Sequence, residues 1–199
     1  MKSVWMMSEA ELQTLPLWEE GTKLAGKPVY ISVENWGEVW QLLTADLASK
    51  IINGSTLQTI AGASPMANKD FGDWAVVLVN SAISIDADTE KFFLFHELGH
   101  IVHEHGTKRV NEAGQIAGIL SNLNFEIEAD QYAFEHTGYA IDLKKEFSEM
   151  IPWSFEKLCG TFKEITASQD ELMAIAMSNP DIQARQNAID ALVEVSVAS

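Results

Sequence analysis

Cysteine, basic side chains and long apolar runs are scarce in this sequence, and each shortage excludes a class of protein. The single cysteine, Cys159, cannot form an intramolecular disulfide and cannot build a cysteine-based zinc site. The 13 basic side chains are outnumbered by 29 acidic ones, and the formal charge of −16 repels phosphate backbones and anionic membranes. No run of about 18 apolar residues is present that could cross a bilayer. We expect a cytoplasmic protein that binds neither nucleic acid nor membranes directly.

The length and composition predict one compact unit. With 199 residues, of which 47% are hydrophobic, the chain can bury a sizeable core. We expect residues 1–140 to form this core and residues 141–199 to form a helical extension that packs on it. Ser168 and the pair Asn179-Pro180 are helix-start signals within the extension.

Short runs of β-branched and aromatic residues predict a small antiparallel sheet. Its expected strands are 29–33, 74–79 and 83–85, with a further short strand at 56–60. The stretch 61–73 contains two glycines and a proline and is predicted to be a loop. The chain is therefore expected to have an α+β fold, in which the sheet packs on helices that carry the functional site.

The sequence HELGH at residues 96–100 matches the pattern H-E-x-x-H. On a helix, residues four apart lie on one face about one turn from each other, so His96 and His100 can aim both imidazoles at a single point. Two imidazole nitrogens at that spacing suit a zinc ion, and Glu97 then stands beside the metal as a base. The motif therefore predicts a zinc site with a catalytic carboxylate.

The segment that carries this motif is predicted to be a helix capped by Asp88 and ended by Gly106. Apolar side chains cover so much of its circumference that it should run through the core. The alternative interpretation is a pair of helical histidines beside an ordinary carboxylate, and further ligands are needed to decide between the two.

A third ligand is expected in the sequence EIEAD, which begins 26 residues after His100. Glu126 and Asp130 share a helix face, so Glu126 can reach the metal while Asp130 accepts a hydrogen bond from the far nitrogen of a ligand histidine. Glu128 points elsewhere and is interpreted as a surface residue, although it remains the competitor for the third ligand. A zinc site held by His96, His100 and Glu126 is therefore predicted.

This second helix is expected at about residues 124–136, with its end at Gly138. Ala129 and Ala133 put small side chains on it next to the acidic pair. They should let the second helix approach the first one closely.

The two motifs together resemble a family. HELGH followed at short range by E-x-E-A-D-x-x-A resembles the gluzincin metallopeptidases, and the short interval is similar to that of the ImmA/IrrE group, which carries H-E-[LI]-G-H and then E-x-E-A-N-x-F-A. The resemblance covers residues 74–136 and implies a compact fold with zinc-binding helices. It also implies cleavage of protein substrates, often transcriptional repressors, in bacteria, their phages and mobile elements. Asp130 and Tyr132 replace the group's usual Asn and Phe, and this Asp is similar to that of the membrane-bound HtpX/Ste24-type peptidases.

The expected reaction is hydrolysis of a peptide bond. Zinc would lower the pKa of a bound water toward about 7. Glu97 would take a proton from this water and pass it to the leaving amine. A second donor would help zinc to stabilise the oxyanion. The candidates for this donor are Tyr139, Tyr132, His136, His103 and His105.

Two other functions use the same residues. A binding or decoy protein could retain the fold and the metal, but the intact Glu97 argues against it because binding alone needs no base. A small-molecule amidohydrolase would use the same zinc and the same base.

Overall fold

The computed structural model describes residues 7–34, 66–106, 123–149 and 168–198. Several predicted features lie outside them: a helix at 35–52, the strand at 56–60, a helix at 115–120, a helical stretch at 152–165, and Cys159.

Three strands form the sheet: β1 (Val29–Glu34), β2 (Met66–Asp70) and β3 (Ala75–Asn80). Their order is β1-β3-β2, with β1 parallel and β2 antiparallel to β3. The α+β prediction is confirmed, but the sheet is mixed rather than wholly antiparallel. Strand β2 begins at the end of the sheet where β1 finishes and runs back along β3, so β3 starts at the same end as β1 and can pair with it in parallel.

The central strand β3 is the best-predicted part of the sheet. All six of its residues are buried, as expected for a nearly continuous apolar run with strands on both sides. Strand β2 falls within the predicted loop, because its sequence MANKD has little β-propensity and its conformation comes from pairing with β3. The strand predicted at 83–85 is wrong: Asn80 accepts hydrogen bonds from the backbone of Ala82 and Ile83 and turns the chain there.

Two short helices, α1 (Glu9–Leu12) and α2 (Glu19–Ala25), flank the start of β1. A capping box begins α1, in which Ser8 N–H donates to the Glu11 carboxylate at 2.7 Å. The ring of Trp18, which precedes α2, meets the edge of Phe95 at a centroid distance of 5.8 Å. This contact joins the N-terminal helices to the helix that carries the H-E-x-x-H motif.

That helix, α3, spans Ala87–Val102 and is largely buried, as predicted. Its N-cap is Asp86 rather than Asp88, because the extended backbone of Asp86 lets its carboxylate accept bonds from the N–H groups of Asp88 and Thr89. The predicted end at Gly106 is also wrong. The helix stops at Val102, and Glu104 takes the left-handed conformation with φ 56°.

The second site helix, α4, spans Leu123–Thr137 and ends at Gly138, whose φ is 66°. It packs against α3 with small residues at the contact, as predicted: Ala129 and Ala133 are fully buried. On the opposite helix, a Cβ added to Gly99 would lie only 3.1 Å from Ala129 Cα. The two helices therefore touch backbone to backbone beside the motif.

The described residues after position 142 are mainly helical. A helical segment at 143–149 is followed by α5 (Gln169–Met177) and α6 (Pro180–Ala198). Helix α6 packs on α4 and buries Ile182 and Ile189 in the main core. Among the described helices, none combines the length and apolarity needed to cross a membrane.

The close contact at Gly99 can be tested by adding one methyl group. We expect Gly99→Ala to lower the free energy of unfolding by about 1–3 kcal/mol, because the new Cβ would lie 3.1 Å from both Ala129 Cα and Tyr132 Cβ. Urea denaturation followed by circular dichroism measures this change. Gly106→Ala is the matched control, since the nearest described atom to its Cβ would be Asp70 Cβ at 3.8 Å, an ordinary van der Waals contact. Equal unfolding free energies for the two variants would contradict a tight contact at Gly99.

Candidate metal centre

Three side chains from α3 and α4 bring their donor atoms together. The Nε2 atoms of His96 and His100 are 3.1 Å apart. Glu126 Oε2 lies 3.4 Å from His96 Nε2, and Glu126 Oε1 lies 3.6 Å from His100 Nε2. The three residues, which are those that the sequence predicts as ligands, are called here the donor triangle, with the two carboxylate oxygens of Glu126 together at one corner.

The donor triangle has the size that a tetrahedral metal ion requires. Four donors at about 2.0–2.1 Å from a metal are about 3.3–3.4 Å from one another. The nitrogens lie 3.1 Å apart and each has one Glu126 oxygen at 3.4 or 3.6 Å, which is close to this spacing. The His96 and His100 side chains are only 5% and 8% exposed, and that of Glu126 is 14% exposed. His96, His100 and Glu126 can therefore hold a metal ion at the edge of the core.

Asp130 supports the first histidine, as its position one turn after Glu126 predicts. Its Oδ1 lies 2.9 Å from Nδ1 of His96, and the carboxylate is fully buried. Arg185 of α6 binds the same carboxylate with two hydrogen bonds, from Nε to Oδ2 at 2.7 Å and from Nη2 to Oδ1 at 2.8 Å. The His96 ring is thus oriented by a carboxylate that is itself fixed by a guanidinium.

These contacts control the charges at the site. Burial alone would raise the pKa of Glu126, but hydrogen bonds from His100 and His96 outweigh it and hold the pKa far below its usual range. The pKa of Asp130 is likewise lowered, against the effect of burial, mainly by the charge and hydrogen bonds of Arg185. Burial acts to lower the pKa of His96, yet its bonds to Asp130 and Glu126 raise the pKa to about 9. Both carboxylates are therefore ionised, and a metal would displace the proton that His96 carries without it.

The second histidine is supported differently. If His100 binds a metal through Nε2, its Nδ1 carries the proton and donates to Nδ1 of His105 at 2.8 Å. His105 then donates from Nε2 to Glu128 Oε2 at 3.0 Å. Glu128 is 48% exposed and is not part of the donor triangle, in agreement with its interpretation as a surface residue. A chain of hydrogen bonds therefore leads from the site to a carboxylate at the surface.

The left-handed backbone conformation of Glu104 puts His105 in this position. Glu104 has φ 56°, so the chain reverses just after α3 and His105 returns beneath His100. His105 is 1% exposed and stacks on Phe125 with a centroid distance of 4.3 Å. Burial is the main reason that its pKa falls to about 4, which keeps the ring neutral. A neutral ring can accept from His100 at one nitrogen and donate to Glu128 at the other.

Glu97 lies beside the donor triangle on α3 and is buried, with 5% of its surface exposed. Its Oε2 accepts a hydrogen bond from the side-chain amide of Asn68. Asn68 is the middle residue of β2, so the sheet orients the carboxylate that the motif identifies as a base. Strand β2 packs against α3, which allows this contact.

The side chains of Tyr139, Tyr132, His136 and His103, predicted as oxyanion donors, contact residues outside the donor triangle or one another. The Tyr139 hydroxyl is 3.4 Å from Thr89 Oγ1, and Thr89 precedes His96 by seven residues, or about 10 Å along the helix. Tyr132 packs against His136 at 4.3 Å and against His103 at 5.8 Å between centroids. These rings lie along the Gly99 side of the contact between α3 and α4. Within the described ranges the structure thus brings the three predicted ligands and Asp130 together, and the assignment of an oxyanion donor stays a prediction.

Sequence reasoning missed two supporting residues, Arg185 and Asn68. Arg185 is the one basic residue of α6, and it follows Ile182 by three residues and precedes Ile189 by four. A lone cation on the apolar face of a helix could have signalled a buried acidic partner. Asn68 gives no comparable signal, because its segment does not have the pattern of a strand.

Comparisons with protein-family models, with curated proteins and with solved structures find no match for this chain. Its likeness to the ImmA/IrrE group therefore depends on two short motifs, at residues 96–100 and 126–133.

Removal of one ligand should abolish metal binding. We expect the wild-type protein to bind one divalent metal ion per chain and His100→Ala to bind none, because two donors remain where three are needed. Elemental analysis after dialysis without chelator measures the stoichiometry. His136→Ala is the matched control, since His136 is exposed and packs on Phe95 and Tyr132. Equal metal content in the two variants would argue against the donor triangle as the metal site.

Proposed function

We propose that this chain is a zinc-dependent metalloendopeptidase. The observation that carries the proposal is a donor triangle of two imidazoles and one carboxylate at tetrahedral spacing, with Glu97 adjacent on the same helix. Two nitrogen ligands and one oxygen ligand form a common donor set of hydrolytic zinc enzymes, in which the fourth position stays open for water or substrate. Calcium and magnesium are disfavoured because they prefer sites built from oxygen donors alone.

Different residues of the site have different roles in the proposed reaction. Zinc held by His96, His100 and Glu126 would supply a Lewis acid and an acidified water. Glu97 would act as the base that accepts a proton from the attacking water and as the acid that returns it to the nitrogen of the leaving amine. Asn68 holds one oxygen of the Glu97 carboxylate and so orients it for both transfers. Burial of the site excludes bulk water and strengthens these electrostatic interactions.

The sheet favours an extended peptide as the substrate. Strand β2 is at the edge of the described sheet, and its residue Asn68 contacts Glu97. A peptide that pairs with such an edge strand lies along the sheet and presents its backbone carbonyls beside the base. This geometry supports a peptide substrate over a small-molecule amide, which has no need of a strand edge.

The substrate class follows from the sequence resemblance. The motifs at residues 96–100 and 126–133 are similar to those of the ImmA/IrrE group, so a transcriptional repressor or another regulator is the proposed protein substrate. A cytoplasmic location, in a bacterial host if a phage or mobile element encodes the chain, belongs to the same proposal.

Replacement of the base tests the reaction. We expect Glu97→Gln to bind zinc normally and to lose about 10²–10⁴-fold in cleavage rate, because an amide cannot take the proton from water. The zinc-loaded protein is incubated with β-casein and with a panel of purified repressors, and fragments are identified by mass spectrometry. Glu90→Gln is the matched control, since Glu90 is an exposed residue in the first turn of the same helix.

The outcomes separate the possible functions. Zinc-dependent fragments from the wild type and from Glu90→Gln, but not from Glu97→Gln, support a peptidase. A biological effect on the host that survives Glu97→Gln would instead identify a binding or decoy protein. Absence of cleavage of every protein tested, with zinc bound, would count against an endopeptidase.

A further inference from the structure

Arg185 connects the C-terminal helix to the donor triangle. Its guanidinium holds both oxygens of Asp130, at 2.7 and 2.8 Å, and its Nη1 lies 3.5 Å from Oε2 of Glu126. Only 11% of its side chain is exposed. One guanidinium thus contacts a predicted metal ligand directly and a second ligand, His96, through Asp130.

We infer that Arg185 is a positioning residue of the metal centre and that α6 is a structural part of the site. Arg185 fixes the Asp130 carboxylate, Asp130 fixes the ring of His96, and the Nη1 contact restrains Glu126. Two of the three metal ligands therefore depend on a residue that follows Asp130 by 55 positions. The inference uses the metal binding of the proposed function but does not depend on peptide hydrolysis.

The shape of arginine suits this role. Nε and Nη2 donate in parallel to the two oxygens of Asp130, which sets the plane of the carboxylate as well as its position. Oδ1 of Asp130 accepts from Arg185 and also faces Nδ1 of His96, so rotation of the carboxylate would turn the imidazole. A lysine would supply the positive charge at a single point, without the two parallel hydrogen-bond donors of the guanidinium.

Charge balance gives a second reason for a cation here. Glu126, Asp130 and Glu97 place three carboxylates in one largely buried region. A divalent metal would neutralise two of these charges, and Arg185 would neutralise the third. Burial acts to lower the pKa of Arg185, but Asp130, Glu126 and Glu97 outweigh it and raise the pKa further. Without Arg185 the fully buried Asp130 would lose the cation that compensates it.

Helix α6 has anchors that do not touch the site, and these provide a control. Ile182 and Ile189 are buried in the core. The Gln186 side chain accepts from Leu143 N–H at 2.8 Å and donates to the Ile141 carbonyl at 3.2 Å. Gln186→Met therefore removes hydrogen bonds that dock α6 and leaves the contact with Asp130, whereas Arg185→Met removes the contact with Asp130 and leaves those hydrogen bonds.

The experiment measures metal binding rather than activity. Zinc affinity is determined by competition with a chromophoric chelator, and the cobalt-substituted proteins are compared by their visible absorption bands, which report ligand geometry. We expect Arg185→Met to weaken zinc binding about 10–100-fold and to shift the cobalt bands. Arg185→Lys should recover part of the affinity, and Gln186→Met should match the wild type in both measurements.

A double-mutant cycle tests whether Arg185 acts through Asp130. If it does, Arg185→Met adds little to the loss that Asp130→Asn causes by itself. Thermal unfolding with and without zinc shows whether each variant folds, and the zinc-induced rise in Tm gives a second measure of affinity.

Three results would overturn the inference. Wild-type affinity and cobalt bands in Arg185→Met would show that the ligands need no such support. An equal loss in Gln186→Met would show that docking of α6, and not Arg185, matters. A wild-type protein that binds no zinc would overturn the proposed function together with the inference, whereas zinc binding without peptide cleavage would leave the inference standing.

Discussion

Asp130 carries a carboxylate that is fully buried and ionised, and three helices meet at it. It belongs to α4, its Oδ1 faces His96 of α3, and both of its oxygens accept from Arg185 of α6. Burying a carboxylate costs free energy unless it is paired. Here one partner, His96, is a predicted ligand, and the other, Arg185, supports the site. The contact at Gly99 brings α3 and α4 close enough for this arrangement. Packing, charge compensation and ligand orientation thus depend on one side chain.

The two histidines of the donor triangle have different surroundings. His96 is held by a charged pair within the core, whereas His100 is connected through the neutral His105 to Glu128 at the surface. The first arrangement fixes a ring rigidly. The second connects the other ring by two hydrogen bonds to a carboxylate at the surface. Both satisfy the far nitrogen of a ligand histidine, as metal sites require.

The sequence predicts what depends on local spacing and misses what depends on distant pairing. Helical periodicity predicts that His96, His100 and Glu126 lie close together, and the apolar run of β3 is typical of a buried strand. The conformation of β2 comes from its neighbour β3, so its own residues do not reveal it. Parallel pairing of β1 with β3 likewise depends on a distant element, strand β2, which runs back along the sheet between them in sequence. Arg185 reaches the site from a helix whose packing no local pattern determines.

The order of the elements along the chain has a consequence for synthesis. A ribosome adds roughly 5–20 residues per second, so Arg185, 55 positions after Asp130, is made several seconds later. During that interval α3 and α4 already contain all three metal ligands, but Asp130 lacks the cation that compensates its charge. A metal ion that arrives in this period meets a more negative and less ordered site than the finished protein offers. A metal ion held by His96, His100 and Glu126 before α6 docks would therefore lack the support that Arg185 gives to Asp130 and Glu126.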